Sequence, residues 1–106
     1  MRITPNNAGL GARVEGIDLR QALDDATFRT LLRALGAHGV LCFPGQDLEP
    51  EHLAAFGRRF GELEVNVAAS GFHAPGHPEV MILSNIRDEN GKPIGLGDAG
   101  QGWHTD

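Results

Sequence analysis

An α+β domain, with two helices laid against a mixed sheet, is what this sequence predicts. Three observations carry that expectation. Phe28, Leu31, Leu32 and Leu35 fall at i, i+3, i+4 and i+7, the spacing of one helical stripe. The run "VLCF" (40–43) is short, wholly apolar and stopped by Pro44–Gly45, as a buried strand is. The stretch "LEVNVA" (63–68) alternates in hydropathy, as a half-buried strand does.

The elements follow in order. "ARVEGIDL" alternates and reads as a strand ending near Gly16. "DDATFRTLLRALGAHG" reads as a helix, with Asp24 or Asp25 able to accept the unpaired backbone N–H groups of its first turn. His38 and Gly39 suit its end. "VLCF" supplies the next strand. In "EPEHLAAFGRRFG" a second helix begins at Pro50, a position that needs no N–H. Its expected buried stripe is Leu53, Phe56 and Phe60; Arg58 and Arg59 oppose the helix dipole in the last turn, and Gly61 closes it. Glu49 is a poor cap for its start. In "LEVNVA", Leu63, Val65 and Val67 take one face, and Glu64, Asn66 and Ala68 the other. "ASGFHAPGHP" (69–78) reads as a mobile loop, and "VMILSN" (80–85) as the strongest strand. Asn90–Gly91 marks a turn, and "IGLGDAGQG" is rich in glycine.

At 106 residues, 41% of them apolar, the chain is one domain or part of one. Its net charge of −5 and nine dispersed basic residues argue against nucleic acid and against a basic membrane-binding face. No segment approaches the roughly 20 apolar residues of a spanning helix, and the first residues carry no signal-peptide run. The single cysteine, Cys42, has no internal disulfide partner and reads as a small buried hydrophobe. A reducing, cytoplasmic setting is the expectation. Whether the protein forms a homo-oligomer is left open.

The candidate chemistry lies in "GWHTD" (102–106). If this stretch is extended, His104 and Asp106 point the same way, while Trp103 and Thr105 face the other side, where the indole could serve a core. An imidazole nitrogen and a carboxylate oxygen are two corners of the 2-His-1-carboxylate triad that binds non-heme Fe(II) and leaves positions open. On spacing alone, a His-x-Asp is more often a surface pair. "GLGDAGQG" lacks the Lys-Ser or Lys-Thr ending of a phosphate loop and reads as a flexible approach to the metal strand. His73 and His77 flank Pro75 and Gly76, so they are not a helical metal pair but loop histidines. His52 is expected to face solvent. Asn66 matters only if its face of the strand lines a pocket.

Taken together, "ITP", "GARVEGIDL", "HGVLCFPGQDLEPEHLAAFGRRFGEL" and the closing "WHTD" resemble the TauD/TfdA family of Fe(II)- and 2-oxoglutarate-dependent dioxygenases, from about Ile3 to Asp106. The resemblance implies a double-stranded β-helix, or jelly roll, with flanking helices. It also implies His104 and Asp106 as the first two metal ligands, Fe(II) as cofactor and 2-oxoglutarate as cosubstrate. The implied reaction consumes O2, converts 2-oxoglutarate to succinate and CO2, and hydroxylates a small organic acid. Taurine-acting members carry a histidine separated from "FGEL" by two residues and an asparagine four before the metal histidine; here Asn66 and Gly100 stand there. Asn66 is therefore carried over as a substrate-pocket residue for an acid other than taurine. The family places its third ligand, a histidine, and the arginine that clamps 2-oxoglutarate far downstream of position 106. Residues 1–106 are thus expected to be the N-terminal portion of a single catalytic domain, inactive alone. The rival expectation is a self-contained, non-catalytic α+β binding or interaction module.

Overall fold

The computed structural model describes residues 1–105. The chain divides into two compact units, Met1–Arg59 and Phe60–Asp106.

The first unit is a three-stranded mixed sheet with two helices. Strand β1 (Arg2–Pro5) runs antiparallel to β2 (Ala12–Glu15), with Arg2 opposite Glu15 and Pro5 opposite Ala12. Strand β3 (Leu41–Cys42) adds to β2 in parallel, giving the order β1-β2-β3. β2 shows the expected period of two: Ala12 and Val14 are buried, while Arg13 is exposed. Arg2 and Arg13 both reach Glu15, at 2.7 and 3.2 Å. The hydrogen bond from Arg2 is the main reason the Glu15 carboxyl sits below its ordinary range.

Helix α1 (Asp25–His38) begins where Asp24 accepts a hydrogen bond from the Thr27 N–H at 2.7 Å. It ends at Gly39, whose N–H donates to the Leu35 carbonyl. Its buried line is Phe28, Leu31 and Ala34, not the stripe the spacing predicts: Leu35 is half-buried and Leu32 is 47% exposed. Leu31 and Val14, both at 0% exposure, are the centre of the core.

Helix α2 (Pro50–Arg58) starts at Pro50 as expected. Its start is secured by a residue the sequence assigned to solvent: the Glu49 N–H donates to His52 Nδ1 at 3.0 Å, and His52 is half-buried. Ala54 is the buried residue of α2. Phe56 is half-buried, edge-on to Phe43 at 5.8 Å, and Leu53 is exposed. Two side chains tie the connecting segments together. Gln46 accepts from the Leu19 N–H at 2.9 Å and donates to the Ile17 carbonyl at 3.0 Å. Arg59 donates to the Leu23 carbonyl and to Asp25 Oδ1, and its guanidinium lies 4.5 Å over the Phe28 ring. Cys42 is exposed, contrary to the expectation of burial, because it pairs in register with Arg13 on the exposed face of the sheet, whereas Leu41 pairs with the buried Ala12.

The second unit departs further from the sequence reading. Residues 63–66 form no strand, and Val67 is exposed. Asn66 instead caps a 3-10 helix (Val67–Phe72), its Oδ1 accepting from the Ala68 N–H at 3.1 Å. An asparagine side chain that serves the backbone in this way competes with ladder pairing. The stretch read as a mobile loop continues into a hairpin, β4 (His73–Ala74) and β5 (His77–Met81), with Pro75–Gly76 as its turn. β5 therefore lies three residues earlier than the expected strand at 80–85. Pro78 is tolerated because a two-stranded sheet has only edges. His73 and His77 are strand residues: His73 Nε2 meets the Asn66 carbonyl at 2.9 Å, and His77 Nδ1 lies 3.4 Å from Glu79 Oε1.

Beyond β5, Leu83 bridges to Leu96 and Arg87 to Pro93. The turn at Asn90–Gly91 forms as expected, closed by Asp88, whose Oδ1 accepts from the Asn90 and Lys92 N–H groups. Gly95 is buried, and a Cβ there would stand 2.9 Å from the Ile82 carbonyl oxygen and the Ser84 nitrogen. That glycine serves close packing, not the flexible approach expected of the run. Phe60, expected in the buried stripe of α2, lies past its end and is exposed. No helix among the described residues is long and apolar enough to cross a membrane.

Candidate functional site

The hydrogen bonds from the Leu96 N–H to the Ile82 carbonyl and from the Ser84 N–H to the Leu96 carbonyl deliver the chain to the segment 97–105. Gly100 takes φ +80°, a left-handed conformation that L side chains rarely adopt. The bend there leads through Gln101 to Gly102, and the chain past it adopts no regular structure up to Thr105. His104 Nδ1 lies 2.8 Å from the Gly102 carbonyl oxygen. Gly100 to His104 line a shallow concavity of ≈ 410 Å³.

The chemistry of that short contact fixes the ring. A carbonyl oxygen only accepts, so Nδ1 is the nitrogen that carries hydrogen. His104 is exposed, and a backbone acceptor at one ring nitrogen is the usual second partner of a metal-binding histidine.

The other expected ligand, Asp106, lies outside the described residues. Among the described residues no three His, Cys, Asp or Glu side chains converge as a metal group. Trp103 does not serve a core: it is fully exposed. Asn66 is also exposed, its amide oxygen committed to the cap of the 3-10 helix and its carbonyl to His73. With Oδ1 so occupied, the amide NH2 is the face it offers to a ligand. The contact between His104 and Gly102 was not legible beforehand, since a histidine bonding two residues back leaves no spacing signature. The paired glycines around Gln101 were the available hint.

A larger concavity, ≈ 560 Å³, lies in the first unit, lined among others by Pro5, Leu10, Arg13, Val40 and Cys42. It carries one cation and neither histidine nor carboxylate. Size therefore does not by itself mark out a set of metal donors.

The sequence profile described as "Taurine catabolism dioxygenase TauD, TfdA family" matches residues 2–106. The chain is 40% identical over 101 residues to pentalenolactone F synthase of Streptomyces avermitilis, which covers 93% of this chain and 33% of that protein. It is 45% identical over 87 residues to the (S)-phenoxypropionate/alpha-ketoglutarate-dioxygenase of Delftia acidovorans, covering 82% of this chain and 26% of that protein. Among solved structures, a taurine dioxygenase from Burkholderia xenovorans superposes with a TM-score of 0.66 at 34% identity, over 73% of this chain and 27% of that one. The chain thus spans about a third of the length of the curated relatives it matches. A profile that runs from Arg2 to Asp106, with relatives at this identity on both sequence and structure, leaves one assignment: the chain belongs to the TauD/TfdA family of dioxygenases.

Proposed function

We propose that residues 1–106 form the N-terminal portion of the catalytic domain of an Fe(II)- and 2-oxoglutarate-dependent dioxygenase. Its substrate is a small organic acid. The full reaction takes substrate, O2 and 2-oxoglutarate to hydroxylated product, succinate and CO2. The observation that carries this reading is the family match over residues 2–106, which takes in His104 and Asp106.

The donor chemistry fits the group. His104 Nε2 and a carboxylate oxygen of Asp106 would hold the metal as two of three protein ligands, and a histidine from the rest of the full-length protein would be the third. Bound there, Fe(II) supplies the redox chemistry that couples O2 and 2-oxoglutarate to the substrate. An arginine from the rest of the protein would pair with the 2-oxoglutarate carboxylate. The completed domain is a double-stranded β-helix, of which the mixed sheet and two helices are flanking parts.

This chain's own residues bind and orient. His104 holds its ligand edge by the bond to Gly102. Asn66, with its oxygen engaged at Ala68, offers an amide N–H to a substrate carboxylate. Relatives named for phenoxypropionate support a carboxylic acid as the substrate class, and the replacement of two residues of the taurine pattern by Asn66 and Gly100 argues against taurine.

The test is succinate formation by the full-length protein supplied with Fe(II), 2-oxoglutarate and a panel of small carboxylic acids. Turnover is expected with at least one acid, and His104→Ala should lower it by at least about 100-fold. Undiminished iron-dependent turnover in His104→Ala would refute the ligand assignment. No succinate with any acid, together with no binding of divalent metal, would favour a non-catalytic module.

A further inference from the structure

The second unit carries a concavity that the metal reading does not use. It measures ≈ 300 Å³, the lower end of what small-ligand pockets span, and lies between the segments 83–87 and 93–98. Phe72, Ser84 and Leu96 are half-buried and form its floor beside the buried Gly95, while Arg87 and Asp98 are exposed at its rim. We infer that this concavity is a binding site for an α-amino acid in its zwitterionic form. Arg87 takes the carboxylate, Asp98 the ammonium, and the floor an apolar side chain. The inference is independent of the metal reading, since it draws on neither His104 nor Asp106.

Two opposite charges stand here on one small surface without pairing. Arg87 donates to the Gly91 carbonyl at 2.8 Å, and neither Arg87 nor Asp98 makes an ion pair among the described residues. The bond to Gly91 tethers the side chain to a turn that Asp88 closes, and it uses one of the five guanidinium N–H groups. The others remain for a ligand, and a carboxylate can take two of them side by side. Asp98, when ionised, only accepts, and a primary ammonium offers it three donors. Ser84 Oγ accepts from the Ile86 N–H at 3.1 Å, so its own O–H is left to donate within the floor.

Charge selects between ligand classes. A simple carboxylic acid would gain Arg87 and meet Asp98 as a like charge. A simple amine would gain Asp98 and meet Arg87 in the same way. An amino acid satisfies both and leaves its side chain for Phe72 and Leu96. Each exposed ionic contact is worth little alone, so affinity depends on both being made at once.

The probe is L-leucine, titrated into the full-length protein and followed by the amide ¹⁵N shifts of Gly97 and Asp98. Two molecules of the same carbon skeleton accompany it: isocaproate, which lacks the amino group, and isoamylamine, which lacks the carboxylate. Leucine should bind about ten-fold more tightly than either. Arg87→Gln should reduce leucine to the affinity of the amine, and Asp98→Asn to that of the acid. Both positions are exposed, so neither change should disturb the fold. Arg29→Gln, at an exposed position in α1, should bind leucine as the wild type does. Leucine no tighter than both analogues, unchanged leucine binding in either rim variant, or an equal loss in Arg29→Gln would each overturn the site.

Discussion

Removing the Gln46 side-chain amide tests how the first unit holds its connecting segments. Gln46 mimics a stretch of ladder, accepting from the Leu19 N–H at 2.9 Å and donating to the Ile17 carbonyl at 3.0 Å. Both bonds are partly buried, and Leu19 itself is in the core. Each such bond contributes about 1 kcal/mol net, so Gln46→Ala should cost about 2 kcal/mol locally. That equals roughly a 30-fold rise in the opening constant of this segment. The Leu19 amide reports it directly through hydrogen exchange in the full-length protein. Gln46→Glu sharpens the test. It keeps an acceptor for Leu19 but sets a carboxylate oxygen against the Ile17 carbonyl, so at neutral pH it should do at least as much harm. Acid that protonates the new carboxyl should restore part of the protection, since the neutral form can donate. Leu19 exchange within about three-fold of wild type in both variants would refute the latch.

Three further outcomes are expected. Gly95→Ala should cost about 1–3 kcal/mol and strip protection from the Leu96 amide, because its Cβ lands 2.9 Å from the Ile82 oxygen and the Ser84 nitrogen. Gly97→Ala, whose nearest such contact is 3.6 Å, should do less in the same thermal melt. The Asp24 carboxyl is held below the ordinary aspartate value of 3.8, first by the hydrogen bond from the Thr27 backbone N–H. Its stabilising share is thus present above that value and lost as pH falls through the lower folded one. Asp24→Asn should remove this share of the acid limb in circular dichroism, while Asp24→Ala weakens the helix start at every pH. Arg59→Lys keeps the charge but loses the fork that spans Leu23 and Asp25 over the Phe28 face, at a cost of about 1 kcal/mol in urea unfolding. Asp25→Asn should cost under about 0.5 kcal/mol, because that carboxylate is 82% exposed.

What the sequence disclosed and withheld divides along physical lines. Helix ends are local: Asp24, Pro50 and Gly39 act on backbone groups within a turn of themselves, and all three sit where expected. Helix faces are not local. The choice of Ala34 over Leu32 as the buried residue is made by tertiary packing, which spacing alone does not encode. The error at 63–68 came from reading alternation without asking what Asn66 would do with its side chain. The error at 69–78 came from treating Pro75–Gly76 as a sign of mobility when it also makes a tight hairpin turn. At the candidate site residue types can be proposed from sequence because ligand chemistry is a property of the side chain; the contact of His104 with the Gly102 carbonyl cannot, since it depends on the local path of the backbone.

These differences bear on where the rigidity of a metal site would come from. The buried apolar side chains among the described residues are Ala12, Val14, Leu19, Phe28, Leu31, Ala34, Ala54 and Ala74. Half of these are alanine, each contributing little burial. Seven of the eight lie in the first unit, and the second unit has only Ala74. Leu83, Ile86 and Trp103, which flank or approach the site segment, are exposed instead. Catalytic ligands need to be held within roughly 0.5 Å. A segment with so small a core of its own would have to take its rigidity from apolar cover elsewhere in the full-length protein, because the distance between His104 and a ligand from another element is a property of packing. Substitutions at the exposed Leu83 or Ile86 that weaken such cover should therefore weaken Mn(II) binding by the full-length protein, while wild-type affinity in both variants would show that the cover lies elsewhere.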